Sequence, residues 1–364
     1  MLTTMVYALL AMNGLVLALC LLLLVSRRWL GSFGPRTIRL EGGREITVQG
    51  GSSLILSLYA GKVFVPSACG GRGTCGYCKV KVREGGGSVL PTEQLVLTPA
   101  EIRDGVRLAC QVRVRRDLTV EVPAEFLAVQ EYQTVVEHVE ALTDLIRKIT
   151  FRLVEPATMA FRPGQYVQLS LTRPGEDPVC RGYSVASSPH ETGRIELHIR
   201  RVENGIMSTY LHSLQVGDRL TMSGPYGEFY LREDTDRAVV CIAGGVGLAP
   251  LNSIIRSLAA AGSERPVWLF YGARTLPLLY YHQEFVEAAR RNPRFRYVPA
   301  LSEDAGDGGW TGHRGFITRV FEEVFPAGEP AEAYLCGPPI MIDALLPIVE
   351  AKGIRREDIF YDRF

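Results

Sequence analysis

The sequence predicts a multidomain chain in four consecutive parts: one N-terminal transmembrane helix, a small β-grasp domain (α+β), an antiparallel β-barrel, and a parallel, doubly wound α/β domain. Three observations carry this prediction. Residues 1–25 contain no Asp, Glu, Lys, Arg or His. Four cysteines, Cys69, Cys75, Cys78 and Cys110, lie in and after a Gly-rich stretch. After Asp236 the pattern changes from short alternating runs to apolar runs separated by helical stretches. The expected boundaries are 1–28 for the anchor, 35–125 for the β-grasp domain, 128–232 for the barrel and 235–364 for the α/β domain.

The run from Met5 to Val25 is almost wholly apolar, with Asn13 as its main interruption. About 20 apolar residues cross the hydrocarbon core as a helix. Ser26-Arg27-Arg28-Trp29 follows and puts two positive charges and an interfacial aromatic at one end. By the positive-inside tendency that end faces the cytoplasm, so the expected location is the cytoplasmic (inner) membrane, single-pass, with the remaining domains in the cytoplasm. A cleaved signal peptide is the alternative. No basic segment precedes the apolar run and no small-x-small site closes it, which favours an uncleaved anchor.

A length of 364 residues accommodates two or three domains beyond the anchor. Net charge is +1, with 22% charged residues, so the chain carries no field suited to nucleic acid. Cys20, Cys180, Cys241 and Cys336 are scattered without a disulfide-like framework, as suits a reducing compartment.

In the β-grasp part, Thr37–Leu40 and Glu45–Val48 alternate as a hairpin around Glu41-Gly42-Gly43, residues 53–60 read as a helix, and Lys79–Arg83 as a strand. Leu108–Val112 and Leu118–Val122 read as a further strand pair. Between the 53–60 helix and the Lys79–Arg83 strand lies Cys69-Gly-Gly-Arg-Gly-Thr-Cys75-Gly-Tyr-Cys78, spaced Cys-x5-Cys-x2-Cys, with Cys110 well downstream. Three thiolates on one tight loop and a fourth from a distant segment suit a [2Fe–2S] cluster; the plant-type pattern has one residue fewer in its first gap. Glycines let such a loop fold closely and aim N–H groups at sulfur. Zinc is the competing ligand, but a zinc knuckle usually pairs two CxxC hooks and only one is present.

From Gln133 to Tyr230, alternating runs at Thr134–Ala141, Ile146–Leu153, Tyr166–Leu171, Tyr183–Ala186, Ile195–Val202 and Arg219–Ser223 are separated by Gly/Pro turns, with one helix near Ile206–Ser213. Short strands at this spacing suggest a closed barrel. Beyond Asp236, strands at Ala238–Ala243, Val267–Tyr271, Phe295–Ala300 and Ala333–Cys336 alternate with helices at Leu251–Ala261, Tyr281–Arg291, Ile317–Val324 and Ile340–Ala351. That alternation is the mark of a doubly wound parallel sheet.

Three motif sets carry chemistry in these domains. Arg181-Gly-Tyr183-Ser184 in the barrel is followed by Gly205-Ile-Met207-Ser208 at a helix start and by Gly224-Pro-Tyr-Gly-Glu-Phe229. Arg181 can fork onto a pyrophosphate and the helix start offers free N–H groups to the same anion. Tyr183 can stack on a flavin ring, with Ser184 near its reactive N5, so FAD is the expected cofactor. Read singly, these are an exposed Arg on a strand and a helix whose first turn Ser208 serves. Gly244-Gly245-Val246-Gly247 follows an apolar strand and opens a helix, so its backbone can approach a dinucleotide pyrophosphate. It is not the Gly-x-Gly-x-x-Gly fingerprint, which disfavours a standard Rossmann dehydrogenase. Cys336-Gly337-Pro338 ends the last apolar strand, where such sheets face the ligand crevice. Cys336 is either a small buried hydrophobe or a thiol beside the nicotinamide.

Together these motifs resemble the ferredoxin–NAD(P) reductase superfamily in its form fused to an N-terminal ferredoxin. Within it, Ser67-Ala68-Cys69-Gly70-Gly71, Leu108-Ala109-Cys110-Gln111-Val112, Gly205-Ile-Met-Ser208, Tyr271-Gly272-Ala273-Arg274 and Tyr334-Leu335-Cys336-Gly337-Pro338-Pro339 resemble the family of F subunits of sodium-translocating NADH:quinone oxidoreductases. The resemblance implies a [2Fe–2S] cluster, FAD and NADH as cofactors. It also implies a membrane-anchored NADH:acceptor oxidoreductase passing electrons from NADH to FAD to the cluster and then to integral membrane redox subunits or a quinone-reducing complex. It further implies that Phe364 stacks over the isoalloxazine, with Asp362 near Ser184 and Cys336. The flavin domain here is shorter between Leu171 and Cys180, and the ending Tyr361-Asp362-Arg363-Phe364 is closer to soluble oxygenase reductases. A reductase component of a diiron or Rieske oxygenase is therefore the alternative function, and a cofactor-free interaction module the alternative outside enzymes. NADP-dependent relatives carry a Ser-Arg pair after the third strand; here Leu301-Ser302-Glu303-Asp304 and Asp307 stand there, which predicts NADH, with Arg274 after the second strand as the one cation that could meet a phosphate.

Overall fold

The computed structural model describes residues 2–30, 33–173, 178–303 and 309–364. The chain divides into two compact units, Met1–Val129 and Gln130–Phe364.

Helix α1 (Leu2–Leu30) contains the segment Met5–Leu23, of mean hydropathy 2.4 and with none of its described residues buried. Its 19 residues rise roughly 28 Å at 1.5 Å each, close to the thickness of a hydrocarbon core. Asn13, the polar interruption, donates its side-chain amide to the Leu9 carbonyl at 2.9 Å. One of its polar groups is thereby satisfied within the helix, which lowers the cost of placing it in lipid.

The rest of the first unit is built on a five-stranded sheet. Its strands are β1 (Pro35–Leu40), β2 (Glu45–Gln49), β3 (Lys79–Glu84), β4 (Val106–Leu108) and β5 (Leu118–Glu121), in the order β2-β1-β5-β3-β4. The β1/β5 pair is parallel and the others are antiparallel. Helix α2 (Leu54–Ala60) lays Leu54, Ile55 and Leu58 into a core with Ile38, Leu40, Leu118 and Val120. Short helices α3 (Pro91–Gln94), α4 (Pro99–Arg103) and α5 (Ala124–Leu127) complete the unit. Leu108–Val112 and Leu118–Val122 do not form the expected pair: β4 pairs with β3, and β5 lies between β1 and β3. Residues 109–112 leave the sheet because their backbone groups are engaged elsewhere. Ala109 donates to the Cys78 carbonyl, and the Ala109 and Val112 carbonyls accept from Ile55 and Leu54 at the start of α2.

The second unit opens with six antiparallel strands, β6 (Gln130–Ala141), β7 (Ile146–Glu155), β8 (Tyr166–Leu171), β9 (Val179–Ser184), β10 (Arg194–Arg200) and β11 (Arg219–Tyr226), with α6 (Ile206–Ser213) between the last two. The order is β10-β7-β6-β11-β8-β9. A bridge from Val185 to Leu197 and a hydrogen bond from Ala186 to the Glu196 carbonyl join the two ends and close the barrel. The strand expected at Tyr183–Ala186 begins earlier, at Val179. Val136, Phe151, Leu169, Leu197 and Met222 fill the interior.

The α/β part follows as β12 (Ala238–Gly244), α7 (Leu248–Ala260), β13 (Val267–Ala273), α8 (His282–Arg291), β14 (Phe295–Leu301), β15 (His313–Arg314), α9 (Ile317–Val324), β16 (Ala331–Gly337), α10 (Pro339–Ala351) and β17 (Ile359–Arg363). All six strands are parallel, in the order β15-β14-β13-β12-β16-β17. One face packs on α7 and α8 through Leu251, Ile254 and Phe285, the other on α9 and α10 through Val320, Phe321, Leu345 and Val349. Each such side chain contributes about 2 kcal/mol by leaving water. The chain runs outward from β12 and then returns to β16 on its other side, so the topological switch point lies between the C-terminal ends of β12 and β16.

Candidate functional site

The cysteine loop is shaped by its glycines: Gly70, Gly71, Gly73 and Gly76 take positive φ of 65°, 87°, 79° and 74°. Side chains rarely adopt that conformation, and here it sets the four thiols in two pairs. Cys78 and Cys110 lie 3.4 Å apart sulfur to sulfur, and Cys69 accepts a hydrogen bond from the Cys75 thiol. Hydrogen bonding from Cys75, joined by the Thr74 and Cys75 N–H groups, pulls Cys69 down to about 3. Hydrogen bonding from Cys78 pulls Cys110 down to about 7, while Cys75 and Cys78 are pushed up as the proton-holding partners. A donor set of four sulfurs in two pairs, with backbone N–H groups aimed at them, fits a [2Fe–2S] rhombus, one pair for each iron.

Two side chains to which the motif reading gave no role support this loop. The Gln111 amide donates to the Gly71 carbonyl at 3.0 Å and to Cys110 Sγ at 3.4 Å, tying the fourth cysteine to the loop of the other three. Glu93, fully buried, receives Arg107 in a two-pronged pair at 2.9 and 2.6 Å and also the N–H groups of Leu90 and Leu108. Arg107 spends its other hydrogens on the carbonyls of Gly86, Gly87 and Ser88. Cys110, three residues on, is therefore held by a buried ionic clamp. A Glu and an Arg 14 residues apart were the available sequence signal, and they resemble any surface pair.

In the barrel, Arg181, Tyr183 and Ser184 lie along β9, and α6 packs against that strand. Tyr183 is half-buried, and burial pushes its hydroxyl up. Tyr166, opposite Ser184 in the ladder, stacks on Tyr226 of the Gly-Pro-Tyr-Gly segment with ring centroids 5.4 Å apart. Gly205 stands at the start of α6 without a side-chain cap, so the first-turn N–H groups there remain for an anion. A Cβ on Gly205 would sit 2.6 Å from Ser208 Oγ. The Ser208 hydroxyl accepts from the Val202 N–H at 3.1 Å and, with Met207, is buried, so both shape the helix start from within.

At the switch point, β12 ends in Gly244 and a single tight turn, Gly245–Gly247, leads into α7. A Cβ on Gly247 would lie 2.1 Å from the Cys336 carbonyl oxygen, so only glycine lets this turn rest on the end of β16. Gly245 has φ +56° and open space beside it, as backbone facing a ligand requires. Cys336 is fully buried, next to Ala243 on one side and Asp362 on the other. Burial first, and the Asp362 charge second, push its thiol well above the ordinary value. Gly337 pairs with Arg363 in the ladder, so Pro338 and the half-exposed Phe364 follow at the same edge of the sheet.

The barrel and the nucleotide crevice are stitched by α7. Asn252 donates to the Ala186 carbonyl at 3.1 Å and Ser253 to the Ser187 carbonyl at 2.6 Å, both just beyond β9. The strand bearing Arg181, Tyr183 and Ser184 is thus tied to the helix that begins at Gly247. The arrangement suits dinucleotide and flavin held face to face, with no acid–base pair required between them. Asp304 and Asp307 lie outside the described residues.

Comparison with known proteins matches this division. A 2Fe-2S iron-sulfur cluster binding domain matches residues 38–115, an oxidoreductase FAD-binding domain residues 133–230, and an oxidoreductase NAD-binding domain residues 241–346. The chain therefore carries [2Fe–2S], FAD and NAD sites in that order. The F subunit of the Na(+)-translocating NADH-quinone reductase of Klebsiella pneumoniae is 36% identical over 96% of this chain and 97% of its own length. That of Pseudomonas aeruginosa is 35% identical over 97% and 96%. Among solved structures, the Amycolatopsis cytochrome P450 reductase GcoB superposes with a TM-score of 0.71 at 32% identity, covering 90% of this chain and 98% of that one. The ferredoxin reductase in carbazole 1,9a-dioxygenase gives 0.70 at 31%, covering 91% and 99%.

Proposed function

The chain belongs to the family of F subunits of the Na(+)-translocating NADH-quinone reductases, and from that membership we propose the roles of its residues and its place in a membrane complex. It is an NADH-dependent oxidoreductase whose electrons run from NADH through FAD and [2Fe–2S] to an acceptor. When bound, the flavin and cluster supply the conversion of a two-electron hydride into single-electron steps. The protein's task is geometry. Arg181 and the N–H groups of Ile206 to Ser208, at the helix start that Gly205 opens and with Met207 packed beneath, hold the flavin pyrophosphate. Tyr183 stacks on the ring and Ser184 lies at its reacting edge. Gly244, Gly245 and Gly247 admit the dinucleotide pyrophosphate, and Gly337 and Pro338 border the nicotinamide. Cys336, Asp362 and Phe364 shape the hydride path. Cys69, Cys75, Cys78 and Cys110 ligate the cluster.

The observation that carries this reading is the contact of two loops at the switch point, with Gly247 resting on Cys336 while α7 holds the end of β9. It brings the nucleotide turn and the flavin-facing strand into one unit. We further propose that α1 crosses the cytoplasmic membrane once, with the catalytic domains in the cytoplasm, and that integral membrane redox subunits receive the electrons. The test uses full-length protein purified in mild detergent. Anaerobic NADH bleaches the flavin band and then the cluster band, and membrane redox subunits co-purify. Flavin that stays oxidised under NADH overturns the reading. Co-purification of a hydroxylase would favour the second reading, an oxygenase reductase, which the likeness to GcoB and to the carbazole dioxygenase reductase supports.

A further inference from the structure

The barrel meets the nucleotide domain through a buried imidazole that none of the motifs include. His198 on β10 has a side chain with no exposed surface. Its Nε2 lies 3.0 Å from Glu196 Oε1 and its Nδ1 lies 3.2 Å from the Tyr280 hydroxyl, which belongs to the segment leading into α8. The carboxylate can only accept, so Nε2 carries the proton and Nδ1 offers a lone pair to the Tyr280 O–H. The rings of His198 and Tyr280 meet edge to face at 5.4 Å. Tyr280 in turn meets Tyr271 at 5.8 Å, and the Tyr271 hydroxyl reaches the Gly245 carbonyl at 3.4 Å. A chain of contacts, polar at both ends and ring on ring between Tyr280 and Tyr271, therefore runs from Glu196 in the barrel to the turn that receives the dinucleotide. Next to Tyr280, Tyr281 takes a left-handed φ of +61° and packs on the same imidazole, a strained conformation for an aromatic residue that the surrounding contacts must hold in place.

We propose that His198 is a positioning residue for the nicotinamide reaction: by accepting the Tyr280 hydroxyl at Nδ1 it locks the barrel to the nucleotide domain and, through Tyr280 and Tyr271, sets the Gly245 turn. This rests on the NADH reading above and deepens it. The lock is sensitive to acid. The groups that face the imidazole are Glu196 on its own strand, Lys148 on β7, Arg256 on α7, and Tyr280 and Tyr281 before α8. Lys148 is itself paired with Glu140, and Arg256 with Glu191 and Glu196. Burial, the largest influence, lowers the imidazole below its ordinary value, Glu196 opposes this, and Lys148 and Arg256 add to it. His198 is thus neutral at neutral pH. A second proton would turn Nδ1 from acceptor to donor and set it against the Tyr280 O–H.

The experiment measures NAD+ affinity by calorimetry on the full-length holoprotein, scanned downward from about pH 8 to below the ordinary imidazole range, where the lowered imidazole takes its second proton. In the unmodified protein, affinity weakens about tenfold on the acid side, the scale of one buried donor losing its acceptor. In His198→Asn the amide oxygen still accepts the Tyr280 proton but cannot titrate, so affinity at high pH is kept and the acid loss disappears. Tyr280→Phe weakens binding about tenfold at every pH and also flattens the acid limb. An acid limb that persists in His198→Asn, or unchanged NAD+ binding in Tyr280→Phe, overturns the proposal. If the Asn variant does not fold, the Phe variant decides alone. Failure of NADH to reduce the flavin of the unmodified protein would sink the NADH reading instead, and is a separate result.

Discussion

Cys336 and Asp362 stand opposite each other on neighbouring parallel strands, a buried thiol beside a carboxylate at the edge that also carries Phe364. The thiol is pushed up by burial and by that charge, so it remains protonated and shielded. Cys336 is expected to resist alkylation in the folded protein at neutral pH and to react only on unfolding. Deleting Phe364 is expected to change the rate of flavin reduction by NADH by about tenfold, the scale of a small misplacement of reacting groups. Stopped-flow flavin reduction reads this directly, and an unchanged rate and nicotinamide affinity would remove Phe364 from the site.

Cys75→Ala is expected to abolish the visible absorbance and paramagnetic signal of the cluster while leaving flavin bound, because the barrel belongs to the other compact unit. Gln111→Leu removes an N–H donor to Cys110 Sγ. The cluster is then expected to assemble but with a lower reduction potential, by on the order of tens of millivolts, since a hydrogen bond to sulfur favours the more negative, reduced form. A redox titration of the purified variant measures it.

The Glu93–Arg107 clamp makes the cluster-bearing unit sensitive to acid. Burial, the largest influence, pushes the Glu93 carboxyl up, but Arg107 and the N–H groups of Leu90 and Leu108 outweigh it and hold it below its ordinary value. A carboxyl lowered on folding contributes stability above the unfolded-state range and loses it as pH falls through the folded value. Arg107→Met leaves the carboxylate buried and unpaired and is expected to cost about 3–5 kcal/mol. Glu93→Gln is expected to flatten the acid limb of unfolding. Chemical denaturation followed through the cluster absorbance, repeated down the pH scale, tests both.

NADH is expected over NADPH. Arg274, the cation that could meet a 2′-phosphate, lies 4.0 Å from Glu303, whose N–H in turn donates to the Arg274 carbonyl. The pair is exposed, so its interaction is worth at most about 1 kcal/mol. Glu303→Gln is accordingly expected to raise kcat/KM for NADPH by several-fold without creating a preference for it, and the ratio of kcat/KM for the two nucleotides is the measurement.

Much of this architecture is written locally. The unbroken apolar run of α1, the alternation of β6 to β11 and the strand–helix rhythm from β12 to α10 each follow from periodicities within ten or twenty residues. What was not legible depended on partners distant in sequence. Residues 109–112 look like a strand, yet their hydrogen bonds go to Cys78 and to α2. The tail at Ile359–Arg363 becomes β17 because β16, more than twenty residues earlier, offers it a parallel edge. The cysteine loop and the nucleotide turn could be read because glycine spacing is a backbone requirement. Glu93, Gln111 and His198 could not, since each acts through a contact that no spacing encodes.

The two hydrogen bonds from α7 to the end of β9 also bear on how the molecule comes apart. Asn252 and Ser253 lose their acceptors if the barrel melts, and Ala186 and Ser187 lose their donors if the nucleotide domain does. Opening either half alone forfeits both hydrogen bonds, so residues 130–364, one compact unit, are expected to unfold together. The flavin and nucleotide modules are then expected to melt in a calorimeter as a single transition, although each binds its own cofactor.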